Sequence, residues 1–237
     1  MLSIVIPAKN EEGYIDKLLR SIRLQTFKDY EIIVADAGSK DRTADIAREY
    51  GATVVKGGMP GVGRNRGAEA AKGEDLLFLD ADVILPQRFL EKNYGEFRRK
   101  KLGVATTFMS PLSKRLIDKI IFRQINIGYR VMAKIRPGAQ GFHIFAKKRW
   151  FEKVKGFDEK AIFNEDYDFV LRIWKKGGKF GILSGPAIKV SVRRLNKEGR
   201  AKFVAKGIYG ALYLHLKGPI YPGSMTYEFD AYKKKRH

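Results

Sequence analysis

Leu76-Leu77-Phe78-Leu79-Asp80-Ala81-Asp82-Val83 is the stretch on which the reading of the whole chain turns. Four apolar residues bounded by Asp75 and Asp80 read as a strand buried on both faces, the pattern of a parallel sheet covered by helices. Such sheets bind their ligands beyond the carboxyl ends of the strands. Strand side chains alternate with period two, so Asp80 and Asp82 are expected to project to one side, where together they can hold a divalent ion against a diphosphate. A solvated turn fits the same three residues, and the surroundings must decide.

Upstream of this stretch, strand and helix patterns alternate. Ser3 to Pro7 reads as a strand, and Asn10-Glu11-Glu12 opens a helix with Ile15, Leu18, Leu19 and Ile22 at helical spacing. Glu31 to Asp36 repeats the strand, a turn through Gly38 and Ser39 follows, and Thr43 to Tyr50 is helical. Ala52 to Lys56 is a third strand, Gly57 to Gly63 a glycine-rich loop and Arg64 to Ala71 a helix. This order implies a doubly wound α/β sheet over the first hundred or so residues. Asp36, Arg64, Asp80 and Asp82 then end strands or open a helix, places that face one crevice in this architecture.

Downstream, Pro86 to Lys101 is expected to be a helix, Gly103 to Met109 a strand, and Ser113 to Lys134 a long basic helix with Leu116, Ile117, Ile120, Ile121 and Ile125 as its apolar stripe. That stripe suits either the protein core or an anionic membrane surface. Gly141 to Phe145 reads as a strand and Lys147 to Lys153 as a helix. Another helix starts near Asp166 and stops at Gly177-Gly178. Glu165, Asp166 and Asp168 lie in its first turn, where capping and dipole complementarity explain acids without chemistry. Glu198 to Leu216 is helical, and the tail beyond Pro219 to Pro222 reads as loosely ordered.

The 237 residues carry a formal charge of +21, no cysteine and three histidines. Disulfides, thiolate metal sites and a cysteine nucleophile are excluded, and a histidine-built zinc site is disfavoured. Basic residues crowd Arg98 to Lys101, Lys114 to Arg136, Lys147 to Lys155, Arg193 to Lys206 and Lys233 to Arg236. Such a balance points to nucleic acid, an anionic membrane or an anionic small substrate, or to a lysine-rich surface suited to high temperature. No apolar tract approaches the roughly 18 residues of a membrane span. The N-terminus has no signal-peptide pattern, which leads us to expect a cytoplasmic protein, peripheral on a membrane if attached at all.

Read together, the motifs resemble family 2 glycosyltransferases of the GT-A fold over about residues 2 to 195. The resemblance rests on Ile4-Val5-Ile6-Pro7-Ala8-Lys9-Asn10-Glu11, Val34-Ala35-Asp36-Ala37-Gly38-Ser39-Lys40-Asp41-Arg42-Thr43, Gly63-Arg64-Asn65-Arg66-Gly67, Leu79-Asp80-Ala81-Asp82, and Gly156-Phe157-Asp158-Glu159 followed by Asn164-Glu165-Asp166. It implies a mostly parallel Rossmann-like sheet flanked by helices and an inverting transfer of sugar from a nucleotide diphosphate, a UDP- or GDP-sugar, to an acceptor hydroxyl that could be lipid-linked or a glycan. By the same resemblance, Pro7, Ala8, Glu11 and Asp36 would line the nucleotide pocket, and Arg64 would counter phosphate charge. Asp82, helped by Asp80, would hold Mg2+ or Mn2+, and Arg193 and Arg194 would meet the diphosphate. Asp166 would be the base, with Glu165 as fallback. Gln140 and Gly141 would line the acceptor site. Residues 1–109 would form the donor half and 110–195 the acceptor half, with 196–237 a C-terminal helix and basic tail. Ala37 departs from the family pattern, which often has a second acid there.

A nucleic-acid-binding protein is the rival on charge. The chain has no RNP-type aromatic strand, zinc module or helix-turn-helix, and its carboxylates converge where a polyanion would be repelled, so no nucleic acid is expected. A dinucleotide-dependent dehydrogenase would need its glycine-rich motif directly after the first strand, where Pro7-Ala8-Lys9-Asn10 stands.

Overall fold

The computed structural model describes residues 1–133, 135–139, 142–161 and 164–217. The first half alternates β1 (Leu2–Ala8), α1 (Glu12–Arg23), β2 (Tyr30–Asp36), α2 (Thr43–Glu49), β3 (Thr53–Lys56), α3 (Pro60–Ala70) and β4 (Asp75–Leu79). The short β5 (Val83–Ile84) follows, then a π-helical turn, Leu90–Tyr94, running into α4 (Gly95–Arg99). The second half comprises β6 (Val104–Pro111), α5 (Leu116–Met132), β7 (His143–Lys147), α6 (Lys148–Lys153), α7 (Glu165–Lys175), β8 (Phe180–Val190), α8 (Arg193–Glu198) and α9 (Arg200–Lys217).

Among the described residues the strands form one eight-stranded sheet in the order β3-β2-β1-β4-β7-β6-β8-β5. From β3 to β4 every pairing is parallel; β7 then joins β4 and β6 antiparallel, and β6 pairs β8 in parallel. The chain steps from β1 outward through β2 to β3 and returns on the other side of β1 as β4, which makes the gap between β1 and β4 the topological switch point. Ligands of open α/β sheets bind there.

Both faces of the central strands are buried, as the unbroken apolar runs require. Leu77 and Leu79 of β4 join Ile4 and Ile6 of β1 in one core layer, while Leu76 and Phe78 join Val5 in the other. Phe78 packs edge-on against Phe157 and Phe169, whose rings stack with centroids 4.1 Å apart. This cluster fixes the Gly156–Glu159 turn and α7 beneath the end of β4.

Three expectations need correction. Gly57 to Gly63 is not all loop: Pro60 takes the first helical turn and α3 begins there, a position proline favours because its missing N–H is unpaired in any helix start. The helix expected over Pro86 to Lys101 is confined to Leu90–Arg99. The eleven-residue β8 was not anticipated, because Gly185-Pro186 interrupts its pattern. Gly185 is required there, since a Cβ would lie 2.4 Å from Asn93 Oδ1, and the Asn93 amide donates to the Pro186 carbonyl at 3.1 Å.

The glycines of α3 let the helix approach β1. A Cβ on Gly67 would lie 2.3 Å from Val5 Cγ1, and one on Gly63 3.0 Å from Pro7 Cβ. Gly67→Ala is therefore expected to destabilise the protein by about 1–3 kcal/mol despite alanine's better helix propensity. Urea denaturation checks this, and a variant as stable as the parent would contradict the close packing.

Candidate active site

Loops after β1, β2 and β4 meet at the switch point. The first two are laced together by their own polar groups: Asn10 Oδ1 accepts from Lys40 N at 2.9 Å, Glu11 N donates to Thr43 Oγ1 at 2.8 Å, and Arg42 N donates to Glu12 at 3.0 Å. Asp36, at the end of β2, accepts from Gly38 N and Ser39 N at 3.1 and 3.0 Å and from Ser39 Oγ at 2.5 Å. Gly38 at φ +74° permits this tight turn. Pro7 and Ala8 are buried at the end of β1, beside this rim.

Asp80-Ala81-Asp82 lies past the end of β4, in the turn leading to β5. A different arginine holds each carboxylate. Arg64, 3 % exposed, donates through Nη2 to Asp80 at 3.0 Å and through Nη1 to Glu165 at 2.7 Å. Its guanidinium also sits 5.4 Å from the Phe157 ring centre. Burial works against the Arg64 charge, but Asp80, Glu165 and Asp166 outweigh it and hold its pKa above the ordinary arginine value.

Arg193, at the start of α8, spans the other side. It forks onto Glu11 with two 2.7 Å hydrogen bonds, and its Nε lies 3.0 Å from Asp82 Oδ2. It lies over Tyr14 at 4.8 Å and its side chain is 43 % exposed. Burial pushes the Asp82 carboxyl up to about 6; Arg193 opposes the rise, and the neighbouring Asp80 and Glu11 charges reinforce it.

The acids at the start of α7 have separate partners. Glu165 is buried on Arg64, Asp168 pairs with Arg172 at 2.5 Å, and Asp166 accepts from Tyr167 N at 2.7 Å. Asn164, at φ 63°, precedes them, and all three acids lie in the first turn of α7, where they also complement the helix dipole. Arg194 is exposed beside Arg193. Gln140 and Gly141 lie outside the described residues.

Two positions beside the site escaped the sequence reading. Asn65 clamps the Gly156–Glu159 turn, accepting from Phe157 N at 2.8 Å and donating to the Phe157 carbonyl and to Glu159 at 3.0 and 2.9 Å. His143, buried in β7 near Asp80, is lowered to about 4 by burial and so is neutral. Asn65 was visible inside the Gly63–Gly67 motif, but its partner 92 residues away was not.

Glu11, Arg64, Asp80, Asp82, Glu165 and Arg193 thus meet at one crevice. The family model "Glycosyl transferase family 2" matches residues 3–154, well over half of the chain. The chain belongs to this family. A poly(ribitol-phosphate) beta-glucosyltransferase of Bacillus spizizenii is 32% identical over 136 residues, which is 53% of this chain but 22% of that relative's length. Staphylococcus aureus TarS 1–349 in complex with UDP-GlcNAc superposes with a TM-score of 0.66 at 23% identity, covering 81% of this chain and 58% of the other. A Pyrobaculum calidifontis mannosyltransferase in complex with GDP-Man and Mn2+ superposes at 0.64 with 19% identity, covering 92% and 70%. At these identities the solved structures establish the fold, which is GT-A.

A carboxyl whose folded-state pKa is raised favours the fold at pH below its unfolded value, roughly 4, and that contribution is lost as pH rises through about 6. Asp82→Asn removes the titration. Without added metal, the melting temperature of the variant relative to the parent is expected to rise between pH 4 and pH 7, as about 6 is crossed. Parallel profiles in thermal melts across that range would contradict a raised Asp82.

Proposed function

We propose that this family 2 member is an inverting, metal-assisted glycosyltransferase that uses a UDP- or GDP-sugar, with residues 1–109 binding the donor and 110–195 the acceptor. The observation that carries the reading is the convergence of Glu11, Asp80, Asp82, Glu165 and Asp166 around Arg64 and Arg193 at the switch point. Carboxylates outnumber guanidiniums there, so a diphosphate could settle only if a further cation came with it.

The donor set fits a hard divalent ion. Asp82 is a half-buried carboxylate whose pKa desolvation raises despite Arg193, and Asp80 lies close enough to raise it further. Among the described residues no group of three or more His, Cys, Asp or Glu side chains is placed to hold a metal. That matches Mg2+ or Mn2+ held by one or two carboxylates, with substrate phosphates and water completing the shell. Asp82, with Asp80 as helper, would hold the ion, which when bound offsets charge on the leaving diphosphate. The relatives seen with GDP-Man and Mn2+ or with UDP-GlcNAc support this donor chemistry.

Arg193 is exposed enough to exchange its carboxylates for diphosphate oxygens, and Arg194 beside it would assist. Arg64 is committed to Asp80 and Glu165, so it counters phosphate charge at one remove by ordering them. Pro7, Ala8, Glu11 and Asp36 would frame the base and ribose. Glu165, occupied by Arg64, is better suited to position that arginine than to take a proton. Asp166 would accept the proton of the acceptor hydroxyl on the face opposite the departing diphosphate, and Gln140-Gly141 would line the acceptor's path.

Release of UDP or GDP from a panel of nucleotide sugars with Mn2+, water serving as acceptor, tests these roles. Asp82→Asn is expected to lower release by about 100-fold or more. Asp166→Asn should keep donor affinity, measured by calorimetry, and lose about 10²–10⁴-fold in turnover. Undiminished release in either variant would move the role elsewhere. Inversion predicts that the first-formed anomer of the freed sugar, followed by NMR, is opposite to the donor's; a matching anomer would refute it.

A further inference from the structure

Helix α5 buries only a narrow seam. Asp118 and Phe122 are buried and Ile121, Ile125 and Tyr129 partly so. Leu116, Ile117, Ile120, Ile127 and Val131 remain between 45 and 71 % exposed, and Leu116, Ile120, Ile127 and Val131 recur at helical spacing along one face. Exposed Val204 of α9 extends this apolar surface. The two helices act as one platform, because Arg200 Nε donates to the buried Asp118 carboxylate at 2.7 Å and Ser113 Oγ donates to its other oxygen at 2.6 Å. Ile117, Ile121, Ala201 and Val204 line a groove of about 400 Å³ between them.

The rim of this surface carries one sign of charge. Lys114, Arg115, Lys119, Arg123, Arg130 and Lys202 are all exposed. Asp118, the sole acid from Lys114 to Arg136, is buried against Arg200. Exposed aliphatic rows flanked by cations are what a helix needs to lie in a lipid headgroup layer, where the side chains enter the acyl boundary and the cations meet phosphates.

We propose that the α5–α9 face seats the protein on an anionic lipid bilayer. A second copy is a poorer occupant, since two identical basic rims would repel. Single-stranded nucleic acid is poorer too, because it needs aromatic platforms for its bases and α5 presents aliphatic side chains. The seat is also tied to the chemistry. Beyond α5, the Arg136 carbonyl accepts from the Tyr167 hydroxyl at 2.9 Å, and Gly138 lies so close that a Cβ would fall 1.9 Å from that ring. Tyr167 is next to Asp166 in the first turn of α7. Bilayer docking itself does not depend on the transfer reading.

Co-sedimentation of the full chain tests this, using vesicles of phosphatidylcholine alone or with about 30 mol % phosphatidylglycerol. The protein is expected to pellet with the anionic vesicles at low salt and far less with phosphatidylcholine alone. Ile120→Glu/Ile127→Glu should lower partitioning about ten-fold or more without moving the melting temperature. Lys119→Glu/Arg123→Glu should weaken binding chiefly at low salt, where the charges are unscreened. Parent protein left in the supernatant of anionic vesicles at low salt would overturn the proposal. So would unaltered pelleting of the isoleucine variant, or a concentration-dependent dimer that the variant abolishes while no vesicle binding is seen.

Discussion

The Arg64 guanidinium is enclosed between Asp80 and Glu165, the second of them 101 residues away in sequence. Removing the arginine would leave the buried Glu165 carboxylate uncompensated, at a cost of about 3–5 kcal/mol. The arginine therefore fixes α3, the turn after β4 and the start of α7 in one arrangement. Its seat is built for it: Asn65 next door holds the Gly156–Glu159 turn, and that turn sets Phe157 under the guanidinium. Asp166 follows Glu165 directly, so the Glu165 anchor on the buried Arg64 keeps its charge near that guanidinium.

Arg193 makes a similar connection on less secure terms. It reaches Glu11, 182 residues away in sequence, and Asp82, but keeps 43 % of its side chain exposed. Exposed ion pairs contribute little and exchange readily. The site thus has a fixed arginine that shapes it and an accessible one that occupies the carboxylates proposed above to take up a cation and a diphosphate. The raised pKa of Asp82 fits this difference, since one half-exposed guanidinium shared with Glu11 does not fully offset burial beside Asp80.

Much of this was legible in the sequence because the relevant signals are local. The unbroken run Leu76–Leu79 implied burial on both faces, and Leu77 and Phe78 do enter opposite core layers. Strand ends marked Asp36 and Asp80, which stand at the rim. The failures are non-local. No strand was read over 180–190, where Gly185-Pro186 interrupts the pattern, yet Asn93 accommodates the pair and β8 runs through. Gly57 to Gly63 looked like a glycine-rich loop, yet Pro60 opens α3 within it and Gly63 lets that helix approach Pro7 of β1. The apolar stripe of α5 fitted core and surface alike; only its neighbours decide that the seam at Phe122 is buried while Ile120 and Ile127 are not. Nothing in residue spacing announced that Arg193 would reach Glu11.

We propose that donor and divalent ion enter together at a carboxylate cluster that the arginines offset only in part. A thermal-shift measurement with UDP- and GDP-sugars, each with Mn2+ or with a chelator, tests it most directly, because a ligand bound by the native state alone raises the melting temperature. At saturation a rise of about 5–10 °C is expected for at least one sugar nucleotide with Mn2+, a much smaller one with chelator, and little change in Asp82→Asn. Equal shifts with chelator and Mn2+, or no shift with any of the sugars, would contradict the claim.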